Sequence, residues 1–216
     1  DGRAPRGGSV SHDDPSETRE QIMHATYRAL ARHGYADLSI AAIGEEFEKS
    51  SSLVYYHYDS KDDLLLSFLD FVLDEFTARF EDDRDDDPES RLRDLVDAAL
   101  PVEPDDEERE FYRIFTELRT QSVRQPAYRE KFRALESQTV DTATRLVEAG
   151  VEEGRFAVDD ADRAAEHLVA LLLYGLTVRT TSGRDPGAEE ARRRADELLV
   201  GLRAGTGATG TGDESG

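Results

Sequence analysis

The stretch LSIAAIGEEFEKSSSLVYYHYDSKDDLL, residues 38–65, decides the fold of the N-terminal part of the chain. Ser39 directly precedes an apolar-periodic segment that ends near Phe47, and serine is a favoured N-cap because its hydroxyl accepts a hydrogen bond from the first turn. Three consecutive serines, residues 50–52, precede a second short segment that ends near Tyr58. The pattern predicts two short helices joined by a tight turn, the arrangement of a helix-turn-helix.

A supporting helix is predicted on each side of this pair. Upstream, apolar residues recur with helical period over Glu17–His33, and Gly34 occupies a position where helices commonly end in the left-handed region. Downstream, Ser60 and Asp63 form a capping box that opens a long helix, Lys61 to about Phe80. With the upstream helix, the two short helices form a three-helix unit in which the second short helix lies in the DNA major groove.

The rest of the chain is also predicted to be helical, with breaks at proline and glycine. Five further helices are expected, over residues 89–100, 106–123, 127–152, 160–181 and 188–204. The predicted fold class is therefore all-α, with nine helices in two domains that share the fourth helix. The expected segments are a disordered arm over 1–15, a helix-turn-helix DNA-binding domain over 16–60, a dimerisation and effector domain over 61–204, and a disordered tail over 205–216.

The second short helix carries side chains suited to DNA. Serine hydroxyls can donate to phosphate oxygens or base edges, and the three rings at 55–57 offer apolar faces with polar tips. Lys49 adds a positive charge before this helix, and Lys61 adds another beside a helix N-terminus that already favours phosphate. Periodicity directs Val54 and Tyr58 into the core instead, and plain exposure is the alternative for the outward rings. The predicted DNA-contacting residues are Ser39, Lys49, Ser51, Ser52, Tyr55, Tyr56, His57 and Lys61.

Residues 38–65 resemble the DNA-binding signature of the TetR family of transcriptional regulators. The resemblance implies a homodimer that binds a near-palindromic operator in double-stranded DNA and represses transcription until a small-molecule effector releases it. The chain departs from the family pattern at Gly44, where the pattern has alanine, and in the turn, where Glu48 and Lys49 replace glycine and an apolar residue. The matching pieces are Ser39, Ile43-Gly44, Val54-Tyr55-Tyr56-His57-Tyr58 and Ser60-Lys61-Asp62-Asp63-Leu64, and the likeness continues upstream through Arg19–Tyr35.

The same resemblance implies an effector pocket among the later helices. Seven polar or aromatic residues lie on or near apolar helix faces there, and ordinary core or rim positions are the alternative for each. Arg119 is the strongest candidate, because a guanidinium beside an apolar face needs an anionic partner. The candidate pocket residues are Tyr112, Phe115, Arg119, Gln138, Thr142, His167 and Tyr174.

The last two predicted helices each carry a stripe of alanines and leucines. Small residues mixed with leucine suit close helix packing, and a single chain offers no obvious place for both stripes. We therefore expect the stripes to form a two-fold, four-helix contact between protomers. The residues expected in this dimer interface are Leu168, Leu172, Leu176, Ala195, Leu199 and Leu202.

Composition and spacing narrow the function class further. The 216 residues include no cysteine, so disulfides and thiolate chemistry are excluded and a reducing cytoplasm is the expected location. No apolar run is long enough to cross a membrane. No histidine pair has metal-binding spacing and no nucleophile motif occurs, so we expect no metal, no cofactor and no enzymatic reaction. Two alternatives to a DNA-binding regulator stay open: a helical small-molecule-binding protein, and an adaptor that no longer binds DNA.

The charge balance conflicts with ordinary DNA binding. The chain has 27 Lys and Arg against 48 Asp and Glu, a formal net charge of −21. Such a balance favours a protein kept soluble in very high salt, as in a halophilic microbe, and an ordinary acidic protein is the alternative. A repulsion between the acidic chain and the DNA duplex follows wherever salt does not screen it.

Salt should therefore strengthen this protein's binding to DNA. The Debye length falls from about 30 Å at 0.01 M salt to about 3 Å at 1 M, so repulsion fades while short hydrogen bonds persist. We expect folding and operator binding both to improve from low to molar potassium chloride, whereas a basic helix-turn-helix loses affinity steeply. Fluorescence anisotropy of a labelled operator, with circular dichroism alongside, measures both. A steep loss of affinity while the fold stays intact would contradict the high-salt interpretation.

Overall fold

The structure is a computed structural model that describes residues 15–47, 50–81, 87–182 and 185–203. The all-α prediction is confirmed, and the helix ends lie within a few residues of their predicted positions. The predicted tail, most of the predicted arm, and Glu48 with Lys49 lie outside the described residues. Within the described ranges there are nine helices: α1 (Pro15–Asp37), α2 (Ile40–Glu46), α3 (Ser51–His57), α4 (Lys61–Glu81), α5 (Pro88–Ala99), α6 (Asp106–Gln121), α7 (Pro126–Glu152), α8 (Ala161–Ser182) and α9 (Asp185–Leu202).

Internal contacts divide the chain into two units, residues 1–72 and 73–216. The division falls later than the boundary expected after residue 60, because the first half of α4 packs with the preceding helices. Phe71 of α4, for example, places its ring edge against His24 of α1, with the ring centroids 5.7 Å apart. The N-terminal unit therefore comprises the three helices of the predicted helix-turn-helix domain and half of a fourth.

The first unit is built around the apolar face of α1. Ile22, Met23 and Leu30 of this helix are fully buried, at the spacing that the sequence predicts for one helical face. Gly34 interrupts α1 with a φ of 67°, a backbone conformation that L side chains rarely adopt, and this confirms the predicted helix break. Ser39 then caps α2, accepting a hydrogen bond from the backbone N–H of Ala42 at 3.1 Å.

The second unit has one hydrophobic core that four helices share. Helix α8 packs against both α7 and α9, and α5 contacts all three. The larger residues of this core include Leu92, Leu95 and Val96 of α5, Leu146 and Val147 of α7, Leu168 and Leu172 of α8, and Leu199 and Leu202 of α9.

A polar clasp closes one end of this unit. An antiparallel bridge pairs Phe156 with Arg203, and the N–H of Ala157 donates to the carbonyl of Leu202 at 2.8 Å. The Arg203 guanidinium also binds the Glu89 carboxylate, with Nε 3.1 Å from Oε2. Hydrogen bonds from Arg203 first, and then Arg93, hold the pKa of the Glu89 carboxyl below its ordinary value. The clasp thereby joins the start of α5, the turn after α7 and the end of α9.

Five of the six residues predicted for the dimer interface belong to this core, and the sixth, Leu176, is also buried. All six are buried within the single chain, where the stripes of α8 and α9 cover each other and pack against α5 and α7. A Cβ added at Gly175 of α8 would lie 2.9 Å from the Cβ of Ala191 in α9 and 2.5 Å from Leu100 Cδ2. Helical period identified the apolar faces but not what covers them. The six residues are Leu168, Leu172, Leu176, Ala195, Leu199 and Leu202.

Adding a methyl group where α8 and α9 approach closely should destabilise the protein. We expect Gly175→Ala to lower the free energy of unfolding by about 1–3 kcal/mol, the usual cost of overpacking a core. Gly201→Ala is the matched control, because nothing lies within 4 Å of a Cβ added there and alanine favours the helix. Urea unfolding of both variants measures the difference. Equal stability of the two variants would show that the helices can separate without cost.

Candidate DNA-binding surface and ligand cleft

Helices α2 and α3 are held in close contact. A Cβ added at Gly44 of α2 would lie 2.6 Å from the Cβ of Ser51, the first residue of α3. Alanine, which the TetR pattern has at this position, would therefore force the two helices apart in this chain. Gly44 sets how near the start of α3 lies to α2, a role that its helix propensity alone does not reveal.

The outer side of α3 is open to solvent and its inner side is not. Val54 is fully buried and Tyr58, just after the helix, is nearly so, as the periodicity predicted. Burial raises the pKa of the Tyr58 hydroxyl, which lies near Ser67 and Arg19. Tyr58 is therefore a core residue of the first unit.

Four residues form the exposed side of α3, which we call the reading face: Ser51, Ser52, Tyr55 and Tyr56. Tyr55 and Tyr56 are 56% and 82% exposed, and both serines are exposed. His57, also exposed, ends the helix with its ring edge-on to Tyr56, 5.3 Å between centroids. Large rings exposed side by side on a short helix form the kind of patch that marks an interaction site, and their polar tips suit DNA sugars, phosphates and base edges.

Lys61 is more constrained than its sequence position indicated. Its Nζ donates to the backbone carbonyl of Tyr35 at 3.1 Å and lies 4.4 Å from the centroid of the Tyr35 ring. The Tyr35 hydroxyl in turn contacts Asp62 at 3.4 Å. Lys61 therefore fastens the start of α4 to the end of α1, and its ammonium keeps further protons for a phosphate.

An ion-pair cluster between α1 and α2 was not predicted from the sequence. Arg32 Nη1 lies 2.6 Å from the Glu46 carboxylate, and Arg28 donates to the Glu46 backbone carbonyl at 2.8 Å. Each arginine is thus engaged inside the first unit. No motif marks this cluster, because its partners come from two helices whose relative placement the sequence does not state.

An open cleft of about 1100 Å³ lies in the second unit, between the end of α6, α7 and α8. Arg119 is the one residue predicted for the effector pocket that lines it. Its guanidinium lies 5.9 Å from the centroid of the Phe132 ring and donates to Glu136 at 3.2 Å. The complete lining is Arg119, Ser122, Val123, Arg129, Phe132, Arg133, Glu136, Ser137, Val140, Asp141, Asp162, Glu166, Val169 and Ala170.

The other predicted pocket residues lie outside this lining. Tyr112 is buried and its hydroxyl donates to the carbonyl of Ala98 at 2.9 Å, and Thr142 is buried as well. Phe115 packs edge-on against the ring of Phe132 at 5.2 Å, behind the cleft surface. Gln138 is half-buried, and both His167 and Tyr174 face solvent. Residue type alone therefore did not indicate which side of each helix borders the cleft.

The described ranges contain neither a cluster of metal ligands nor a membrane-spanning helix. There, no three His, Asp or Glu side chains gather as metal ligands would. None of the helices in those ranges combines the length and apolar content needed to cross a bilayer.

Two family models match the chain. One, described as bacterial regulatory proteins of the tetR family, matches residues 22–68. The other, described as the C-terminal part of BetI-type transcriptional repressors, matches residues 88–204, more than half of the chain.

Two relatives of known role match this chain over different lengths. The repressor NicS of Pseudomonas putida is 28% identical over 174 residues, which are 78% of this chain and 80% of that protein. The regulator BetI of Stenotrophomonas maltophilia is 35% identical over 82 residues, 37% of this chain and 42% of that protein.

Solved structures show the same architecture. A TetR regulator from Haloarcula marismortui is 35% identical and has a TM-score of 0.77, with 88% of this chain and 100% of that one covered. A regulator from Saccharomonospora viridis, solved in complex with choline, is 27% identical and has a TM-score of 0.68, with 86% and 96% covered. The resemblance inferred from residues 38–65 is thus confirmed. The chain belongs to the TetR family of transcriptional regulators and is a DNA-binding repressor, in a family whose members bind operators as homodimers under the control of small-molecule effectors.

Proposed function

We propose that this repressor reads its operator with the reading face of α3. The observation that carries the proposal is the contrast across one short helix, with Val54 fully buried and Tyr56 82% exposed. Tyr55, Tyr56 and the serine hydroxyls would contact bases and sugars in the major groove. Ser39, His57 and Lys61 would contact the flanking phosphates, together with Lys49, which lies outside the described residues.

We further propose that the exposed faces of α8 and α9 form the contact between protomers. These faces carry Tyr174 and Val200, which are 57% and 52% exposed, and the apolar stripes beneath them are already used inside the chain. On α9, Arg193 pairs with Glu190 and Glu197, so this face is charged but internally balanced. A two-fold contact of four helices can bury such a surface.

The controlling ligand, on this proposal, is a small organic molecule that binds in the cleft of the second unit and releases the operator. The relative solved in complex with choline supports a ligand that carries a positive nitrogen. Asp141, Asp162 and Glu166 in the cleft lining supply carboxylates that such a group would need. The proposal assigns no reaction to the protein, in keeping with a family of regulators rather than enzymes.

The operator-reading role of α3 can be tested with one truncation. We expect Tyr56→Ala to weaken operator binding by about 1–3 kcal/mol without changing the melting temperature, because the side chain makes little contact within the protein. Val102→Ala is the matched control, since Val102 is also exposed but lies outside α3. Anisotropy with a labelled operator in molar potassium chloride gives the affinities. Operator binding by Tyr56→Ala equal to that of the control would contradict the assignment.

The protomer contact can be tested with charges on the exposed faces. We expect Tyr174→Glu with Val200→Glu to give folded monomers, because carboxylates buried in the contact between protomers would have no cation or hydrogen-bond donor beside them. A monomer should also lose affinity for the full palindromic operator, since one α3 cannot contact both half-sites. Leu172→Glu with Leu199→Glu should instead unfold the second unit. Light scattering with circular dichroism separates the cases, and an intact dimer of the first variant would exclude these faces.

A further inference from the structure

The charges of the cleft are separated along its length. Arg129 and Arg133 lie in the first turns of α7, whereas Asp162 and Glu166 lie in the first turns of α8. Because α7 and α8 are packed neighbours joined by a short connection, they run in opposite directions and their starts lie at opposite ends of the cleft. Asp141 lies twelve residues beyond Arg129 (141 − 129), about 18 Å along α7 at 1.5 Å per residue.

The basic end holds a guanidinium with no carboxylate partner among the described residues. Arg129 donates from Nε to the carbonyl of Ser122 at 3.1 Å and from Nη2 to that of Val123 at 3.3 Å. Those carbonyls fix the side chain, yet no carboxylate of the described residues pairs with it. Beside it, the hydroxyl oxygen of Ser122 is buried and has no hydrogen-bond partner among the described atoms. A buried hydroxyl without a partner is costly, so this end of the cleft is suited to an acceptor group.

The acidic end holds carboxylates that have no cation partner among the described residues. Asp141, Asp162 and Glu166 line the cleft, and no cation of the described residues forms an ion pair with any of them. The other two arginines of the cleft are already paired with carboxylates, since Arg119 pairs with Glu136 at 3.2 Å and Arg133 pairs with Glu130 at 2.8 Å. Phe132, Val140, Val169 and Ala170 supply apolar lining in the same cleft.

We propose that the cleft binds an elongated zwitterion: an ammonium group at the acidic end, a carboxylate at Arg129 and Ser122, and an apolar chain between them. The inference rests on the proposed function, in which a ligand of this cleft controls operator binding, and it adds a second, anionic end and a minimum length to that ligand. A cleft of about 1100 Å³ is at the upper end of ligand-site volumes, more than a compact single-charge cation fills.

Isothermal titration calorimetry on the intact protein at fixed potassium chloride tests this. The probe 8-aminooctanoate carries both charges. Octanoate carries only the negative charge, and octylamine and choline carry only the positive one. We expect 8-aminooctanoate to bind at least about tenfold more tightly than each single-charge probe, because each end adds a charge-assisted hydrogen bond. Equal or tighter binding of octylamine or choline would overturn the two-ended site, as would binding of none of the four.

Variants assign each end of the ligand. Arg129→Gln should lower the affinity for 8-aminooctanoate to that for octylamine, and Asp162→Asn with Glu166→Gln should lower it to that for octanoate. Arg124→Gln and Glu148→Gln are matched controls, because both residues are exposed and lie outside the lining. Since Arg129 also holds a turn, melting temperatures accompany each titration, and the acidic-end variants test the proposal independently. Unchanged affinity in the acidic-end pair would overturn it.

Operator binding without ligand, measured on the same samples, keeps the two proposals apart. A protein that binds operator but shows no preference for the zwitterion retains the proposed function and loses this inference. A protein that binds the zwitterion as expected but no operator loses the proposed function and retains the two-ended site.

Discussion

The second unit depends on the close approach of α8 and α9. Gly175 leaves room for the Cβ of Ala191 and the side chain of Leu100, so the apolar stripes of both helices are buried within one chain. That packing fixes which faces remain outside. The start of α8 borders the cleft with Asp162 and Glu166, and farther along the helix Tyr174 is exposed to solvent. The proposed ligand surface and the proposed partner surface thus both depend on one intramolecular contact.

The described residues of the first unit use their positive charges mainly in contacts within the chain. The four basic residues of the described first unit all have internal partners: Arg19 at Tyr58, Arg28 and Arg32 at Glu46, and Lys61 at Tyr35. Hydroxyls and aromatic rings of α3 are what remains outside. Binding that relies on short hydrogen bonds and apolar contact responds to salt differently from binding driven by counterion release. The pairing of these arginines within the chain fits the acidic composition, since the cations hold α1 and α2 together.

The sequence predicted the first unit better than the second. Caps and breaks are local features, so Ser39, Gly34 and the buried Val54 could be identified from neighbouring residues alone. The burial of Leu172 and Leu199 within the single chain could not be predicted, because helical period shows that a face is apolar but not whether the same chain covers it. The cleft was missed for a similar reason. Arg129 and Asp162 look like ordinary exposed charges until the antiparallel pairing of α7 with α8 sets them at opposite ends of one groove.

The clasp at the end of α9 links the order of synthesis to the order of folding. The contacts of the first unit lie within residues 1–72, so that unit can form while the remainder is still being translated. The second unit cannot finish early, because Arg203 must reach Glu89, 114 residues earlier in the chain, and Leu202 must meet Ala157. Translation thus passes through a stage with a formed helix-turn-helix and an open C-terminal core. Its leucines stay exposed on the ribosome until the last helix emerges, the interval in which this chain most needs chaperone protection.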